Sequence, residues 1–270
     1  MTSDIRSRRD KILEIIVQSY VETAEPVGSR TISRHSDLGL SPASIRNVMA
    51  DLEEEGYLTQ PHTSAGRIPT DKGYRYFVDR LMGQEELSAD EKAWVVSELE
   101  RSRSIEGMAE KVSKVISKLT ENAALMYIKN LRRLSFLTDL LEELAEARRL
   151  GEFLEEEPGL FIDGAFRVFD QPEFQDSGRM RLLLQAFDEK NHFLQVFVKD
   201  LESEGIHVHI GRENALGKLD NVSFVGKDCY LGTTPIGGVA VVGPTRMRYS
   251  KVVAVVDFVA DTVTESMRRF

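Results

Sequence analysis

An α+β chain is predicted by three observations. Apolar residues recur at helical spacing through most of the first 122 residues, strand-like runs crowd the last quarter, and 270 residues suffice for about two domains with cores of their own. Composition agrees, since 41% apolar and 29% charged residues are the proportions of a globular protein.

The first helix starts at Asp4, a good N-cap, and keeps its period through Ile5, Ile12, Leu13, Ile16, Val17 and Tyr20 to about Thr23. Its basic start, Arg6, Arg8, Arg9 and Lys11, suits phosphate contact and solvated surface equally well. Pro26 forbids continuation. Gly28 or Ser29 opens a short second helix, with Ile32 facing the core and Arg30 and Arg34 as candidate phosphate contacts.

Ser41 caps the third helix and Pro42 fits its first position, where no amide hydrogen is needed. Ile45, Val48, Met49 and Leu52 form the stripe to be buried, which leaves Ala43, Ser44, Arg46, Asn47 and Ala50 on the other side. Small residues let a helix approach base edges, Arg pairs bidentately with guanine, and Asn pairs with adenine. An ordinary solvated helix face has a similar composition, so the helix by itself does not decide.

Gly56 ends that helix in the left-handed conformation, Tyr57, Leu58 and Thr59 form a strand, residues 60–66 are turn material, and Arg67, Ile68 and Pro69 return. Helix, turn, helix and hairpin in this order are the layout of a winged helix-turn-helix. No Asp or Glu occurs from Tyr57 to Thr70, whereas His62, Thr63, Ser64 and Arg67 supply donors and positive charge. A hairpin lying on phosphates needs that composition. The predicted DNA-binding set is therefore Arg30, Ser41, Ala43, Ser44, Arg46, Asn47, His62, Thr63, Ser64 and Arg67.

Thr70 caps a further helix carrying Tyr74, Phe77, Val78 and Leu81, which closes the first domain, residues 1–83. Residues 84–122 hold two linker helices. In the second, Ile105, Met108, Val112, Val115, Ile116 and Leu119 form a stripe that packs either on the next domain or on its mate in a dimer. Residues 123–270 form the second domain. Strands are expected at 124–128, 134–137, 206–210, 222–225, 230–231 and 237–242, and helices at 140–153, before Pro172, and at 179–187, 191–202 and 250–268.

The run LTQPHTSAGRIPTDKGYRYFVD (58–79) strongly resembles the wing and following helix of bacterial heat-inducible transcription repressors of the HrcA type. GSRTIS (28–33) and SPASIRNVMADLEEEGYL (41–58) are similar to the same family's turn and recognition helix. LFIDGAFRVFDQPEF (160–174), HIGREN (209–214) and GGVAVVGPTRMRYSKVVAVVDFVADTV (237–263) match its regulatory part. The resemblance implies a GAF-like regulatory fold, an inverted-repeat operator upstream of chaperone genes, a homodimer, and activity sustained by the GroEL chaperonin. Family members carry more GAF strands and an inserted dimerisation domain where this chain has only residues 129–158, so a shortened regulatory domain is expected.

Net charge is −9, with the acids Asp51, Glu53, Glu54 and Glu55 gathered at the far end of the third helix. Such bulk charge disfavours nonspecific adhesion to nucleic acid and leaves binding to depend on fit. With neither a long apolar span nor a secretory leader at the start of the sequence, a cytoplasmic location is expected.

His207 and His209 share one side of a strand, but no third metal ligand is evident. Arg246, in the Gly-Pro-Thr-Arg turn at 243–246, suits either an anion or a strand-to-helix connection. Cys229 lacks a basic neighbour that would make it a nucleophile. The expectation is a repressor with no catalytic residue, metal or cofactor. Its alternative is a ligand-responsive regulator with a small-molecule pocket in the GAF-like domain.

Overall fold

Ile12, Leu13, Ile16 and Val17 are fully buried along one face of helix α1, Thr2–Thr23. The helix begins two residues before Asp4 and ends where Ala24 takes a left-handed φ of 56°. The computed structural model describes residues 2–35, 38–129, 159–188, 205–214 and 220–269. They divide into two compact units, residues 1–84 with 245–250, and residues 85–244 with 251–270.

In the first unit, α1 is followed by α2 (Ser29–His35), α3 (Pro42–Glu54), strands β1 (Leu58–Thr59) and β2 (Ile68–Pro69), and α4 (Asp71–Tyr76), which continues as one π-helical turn, Phe77–Leu81. Ser41 caps α3, its hydroxyl accepting from the Ser44 amide at 3.1 Å, and Gly56 follows the helix at φ 79°. Ile45, Met49 and Leu52 are buried and Val48 is half-buried, so the apolar stripe sets the helix's rotation. Thr70 caps α4 as its sequence position suggests. Tyr74 and Phe77 are buried, and Tyr74 lies 6.0 Å from Tyr249 of the 245–250 segment.

The hairpin pairs Leu58 with Pro69 and Thr59 with Ile68. It has a third member that hydrophobic alternation does not announce. Val27 and Arg67 form an antiparallel bridge, each amide donating to the other's carbonyl at 2.9 Å. Gly66 makes this approach possible, since a Cβ there would sit 2.4 Å from the Val27 carbonyl oxygen.

The second unit holds α5 (Ala89–Glu100), α6 (Ile105–Thr120), β3 (Ala123–Ile128), β4 (Gly159–Asp163), α7 (Ala165–Phe169), α8 (Ser177–Asp188), β5 (Ile206–His209), β6 (Val222–Leu231), β7 (Thr234–Pro244) and most of α9 (Tyr249–Ser266). The five strands form one antiparallel sheet in the order β4-β3-β7-β6-β5. Leu125, Tyr127, Phe224, Ala240 and Val242 point to one face, where they pack with Val168 of α7, Phe174 and Leu183 of α8. Helix α6 lies against β3, β4 and β7. Every residue of β3 is buried, as a central strand covered on both faces must be.

Two strands depart from the sequence reading. Residues 222–225 and 230–231 belong to one strand, β6, because Lys227 in its middle is held by Asp257 at 2.7 Å and Asp261 at 2.6 Å of α9. Burial opposes the charge on Lys227, yet these hydrogen bonds outweigh it and hold its pKa above the usual lysine value. The second departure is β4, an edge strand that the sequence reading did not include. The strand expected at 134–137 and the helices expected at 140–153 and 191–202 lie outside the described residues.

Gly66→Ala is expected to destabilise the first unit by about 1–3 kcal/mol, because the methyl group pushes Val27 and Arg67 apart and strands their amide and carbonyl groups. Thermal unfolding should move down by several degrees. An unchanged midpoint would show that the bridge contributes nothing.

Candidate nucleic-acid interface

Burying Ile45, Met49 and Leu52 turns Ala43, Ser44, Arg46, Asn47 and Ala50 to the solvent. Beside that face lies a cleft of about 530 Å³, walled by the start of α2, the face of α3 and the hairpin. Arg30, Arg46, Thr63, Ser64 and Arg67 all line it. Residues from 30 to 67 in sequence thus meet on one concave surface. Ser41, Ala43, Asn47 and His62 are exposed outside the cleft lining.

Three of these side chains are committed locally. The Ser41 hydroxyl caps α3, and the Ser44 hydroxyl lies 3.0 Å from it. The guanidinium of Arg67, assigned to a phosphate from sequence, donates through Nε to Glu53 Oε2 at 2.8 Å, and its Nη2 lies 2.8 Å from the same oxygen as an ion pair. Arg30 and Arg46 are different. Both are exposed, and among the described residues neither has a carboxylate partner.

The acids at the end of α3 are partly consumed inside the fold. Glu53 takes Arg67, and Glu55 takes Arg9 at 2.6 Å. Arg9 also lies over the Tyr57 ring at 5.6 Å, with Lys72 at 4.5 Å from the same ring. Of the two roles open to the basic start of α1, Arg9 therefore fills a structural one. Lys11 pairs with Glu14 at 2.9 Å.

Sequence reasoning passed over Gln60. Its side-chain amide donates to the Thr63 carbonyl at 3.0 Å and the Ala65 carbonyl at 2.9 Å, bracing the turn that carries His62, Thr63 and Ser64. A long amide at the mouth of a Ser/Thr/Gly turn is the available signal, since it can satisfy carbonyls that a short hairpin leaves unpaired.

Elsewhere, Arg246 donates to the Val21 carbonyl at 2.8 Å, in keeping with a strand-to-helix connection. Cys229 is buried, which pushes its thiol pKa up and keeps it from acting as a thiolate. The His209 ring lies 6.0 Å from that of Phe224. Among the described residues no group of three or more His, Cys, Asp or Glu is placed to hold a metal ion, and no helix is long and apolar enough to cross a membrane.

This combination of fold and site is that of an α+β protein with a solvent-facing cleft between helix and hairpin, and its likeness to known proteins bears on what it serves. A solved protein described only as hypothetical, with a crystal structure at 2.2 Å resolution, shares the fold at a TM-score of 0.72 with 24% identity, over 97% of this chain and 98% of that one. The family model for the HrcA protein C-terminal domain matches residues 79–253. The heat-inducible transcription repressor HrcA of Geobacter sulfurreducens is 32% identical over 97% of this chain and 98% of its own. That of Symbiobacterium thermophilum is 33% identical over 98% and 100%. The chain belongs to the HrcA family of heat-inducible transcription repressors. Both alignments, of 335 and 340 positions, are longer than this chain's 270 residues.

Gln60→Ala should leave global stability within about 1 kcal/mol, since a half-exposed brace of this kind contributes little net energy. It should speed hydrogen exchange at the Ala65 amide, which now donates to the His62 carbonyl at 2.9 Å. Unaltered exchange would show that the turn holds its shape unaided.

Proposed function

We propose that residues 1–83 are a winged helix-turn-helix domain that reads duplex DNA, with α3 in the major groove and the β1–β2 hairpin as the wing. Arg46 and Asn47 read base edges, and Ala43 and Ser44 permit close approach. Arg30 and the wing residues His62, Thr63 and Ser64 contact the backbone, while Ser41 and Arg67 shape the two elements from their bases. The observation that carries this reading is Arg46, solvent-facing beside Arg30 in a cleft formed jointly by helix and hairpin. Two guanidinium groups that line one cleft without carboxylate partners among the described residues suit a polyanion.

The rest of the chain, in this proposal, is regulatory. Residues 84–122 provide connecting helices, and residues 123–270 a shortened GAF-like domain. Two copies act together on an inverted-repeat operator, because two-fold DNA symmetry is matched by a two-fold protein. The protein works in the cytoplasm at chaperone genes, with its activity sustained by the GroEL chaperonin. Heat-damaged proteins occupy the chaperonin and so release the genes.

The test starts from a duplex enriched by the wild-type protein out of a randomised pool, which should contain an inverted repeat. Arg46→Ala should weaken binding to that duplex by about 1–3 kcal/mol and relax base preference at one position per half-site. An unchanged footprint and affinity would remove Arg46 from the reading face. Adding chaperonin should raise the fraction of wild-type protein that binds, and no change would remove the chaperonin from the scheme.

A further inference from the structure

We propose that Glu53 is a positioning residue for sequence discrimination: by holding Arg67 it fixes the hairpin to the reading helix and keeps that arginine off the phosphates. The inference rests on the DNA-reading function proposed above. It is unexpected on charge alone, because a carboxylate on a DNA-facing helix repels the backbone.

Geometry supports it at three points. Glu53 follows Arg46 by seven residues, two helical turns and about 10 Å along the axis, so both lie on the same stripe of α3. Arg67 is held at both ends. Its backbone is bridged to Val27 by two hydrogen bonds of 2.9 Å, and its guanidinium is held to one Glu53 oxygen by an Nε hydrogen bond of 2.8 Å and an ion pair through Nη2 at 2.8 Å. The pair is also sheltered, with side-chain exposures of 19% for Arg67 and 33% for Glu53, and Arg67 lines the cleft together with Arg30 and Arg46.

The physical consequence concerns the ratio of affinities more than affinity itself. An arginine on phosphate strengthens binding to every sequence alike. Engaged by Glu53, Arg67 contributes little of that uniform attraction and instead sets the angle between hairpin and helix, on which simultaneous seating of both depends. Glu53 therefore lowers binding to wrong sequences while preserving the geometry needed for the right one.

The experiment compares full-length wild type, Glu53→Gln and Arg67→Lys on the enriched duplex and on the same duplex with its bases scrambled, across a salt series. For Glu53→Gln, affinity for the scrambled duplex should rise several-fold and its salt slope should steepen by about one, as a freed guanidinium finds a phosphate. The ratio of the two affinities should fall about tenfold, the size of one lost base-pair match. Arg67→Lys keeps the cation but loses the planar guanidinium and its Nε donor, and should lower the ratio in the same direction, which carries the test if Glu53→Gln fails to fold. Equal strengthening on both duplexes, the result of merely deleting a negative charge, would overturn the proposal, as would an unchanged salt slope for Glu53→Gln. If the wild type enriches no duplex, the DNA reading itself fails. If it enriches one and the ratio survives both substitutions, only the role of Glu53 is lost.

Discussion

The first unit turns on one residue held from two sides. Arg67 closes a backbone bridge to Val27 and gives its guanidinium to Glu53, so the connection between α1 and α2, the end of α3 and the return strand of the hairpin meet at a single point. A two-stranded hairpin this short is marginal in water by itself. Attachment at its base makes it a defined wall of the cleft, and Gln60 braces its far turn. The hairpin is therefore anchored at its base by Val27 and Glu53 and at its turn by Gln60.

Charge follows the same organisation. The chain carries a net −9, yet the surface formed by the start of α2, α3 and the hairpin holds exposed Arg30 and Arg46 with no carboxylate partner among the described residues. The acids that would spoil this surface lie at the end of α3, and Glu53 and Glu55 are turned to Arg67 and Arg9. Local arrangement outweighs the sum because charges farther apart than a Debye length, about 8 Å at physiological salt, are largely screened.

The second unit is organised by a sheet covered on both faces. Leu125, Tyr127 and Phe224 meet α7 and α8 on one side, and Lys227, on the opposite alternation of β6, reaches Asp257 and Asp261 on α9. A lysine in the middle of a long strand is tolerated here because two carboxylates on one helix face, four residues apart, satisfy it. The same pair joins the last helix to the sheet through a specific contact rather than apolar packing alone.

Residue types alone determined the helices of the first unit and the rotation of α3. The Ser41 cap, Pro42, the 45-49-52 stripe and Gly56 act over a few residues, and local signals of that range are legible in a string of letters. They also determined which side chains would face the solvent, Arg46 and Asn47 among them. Tertiary structure decided what those letters could not: that Val27 joins the hairpin, that Arg67 and Arg9 are engaged by acids, that β6 runs unbroken through Lys227, and that β4 forms an edge. Each of these depends on a partner distant in sequence. A charge or a polar break has no fixed meaning until the chain has brought its counterpart within hydrogen-bonding distance.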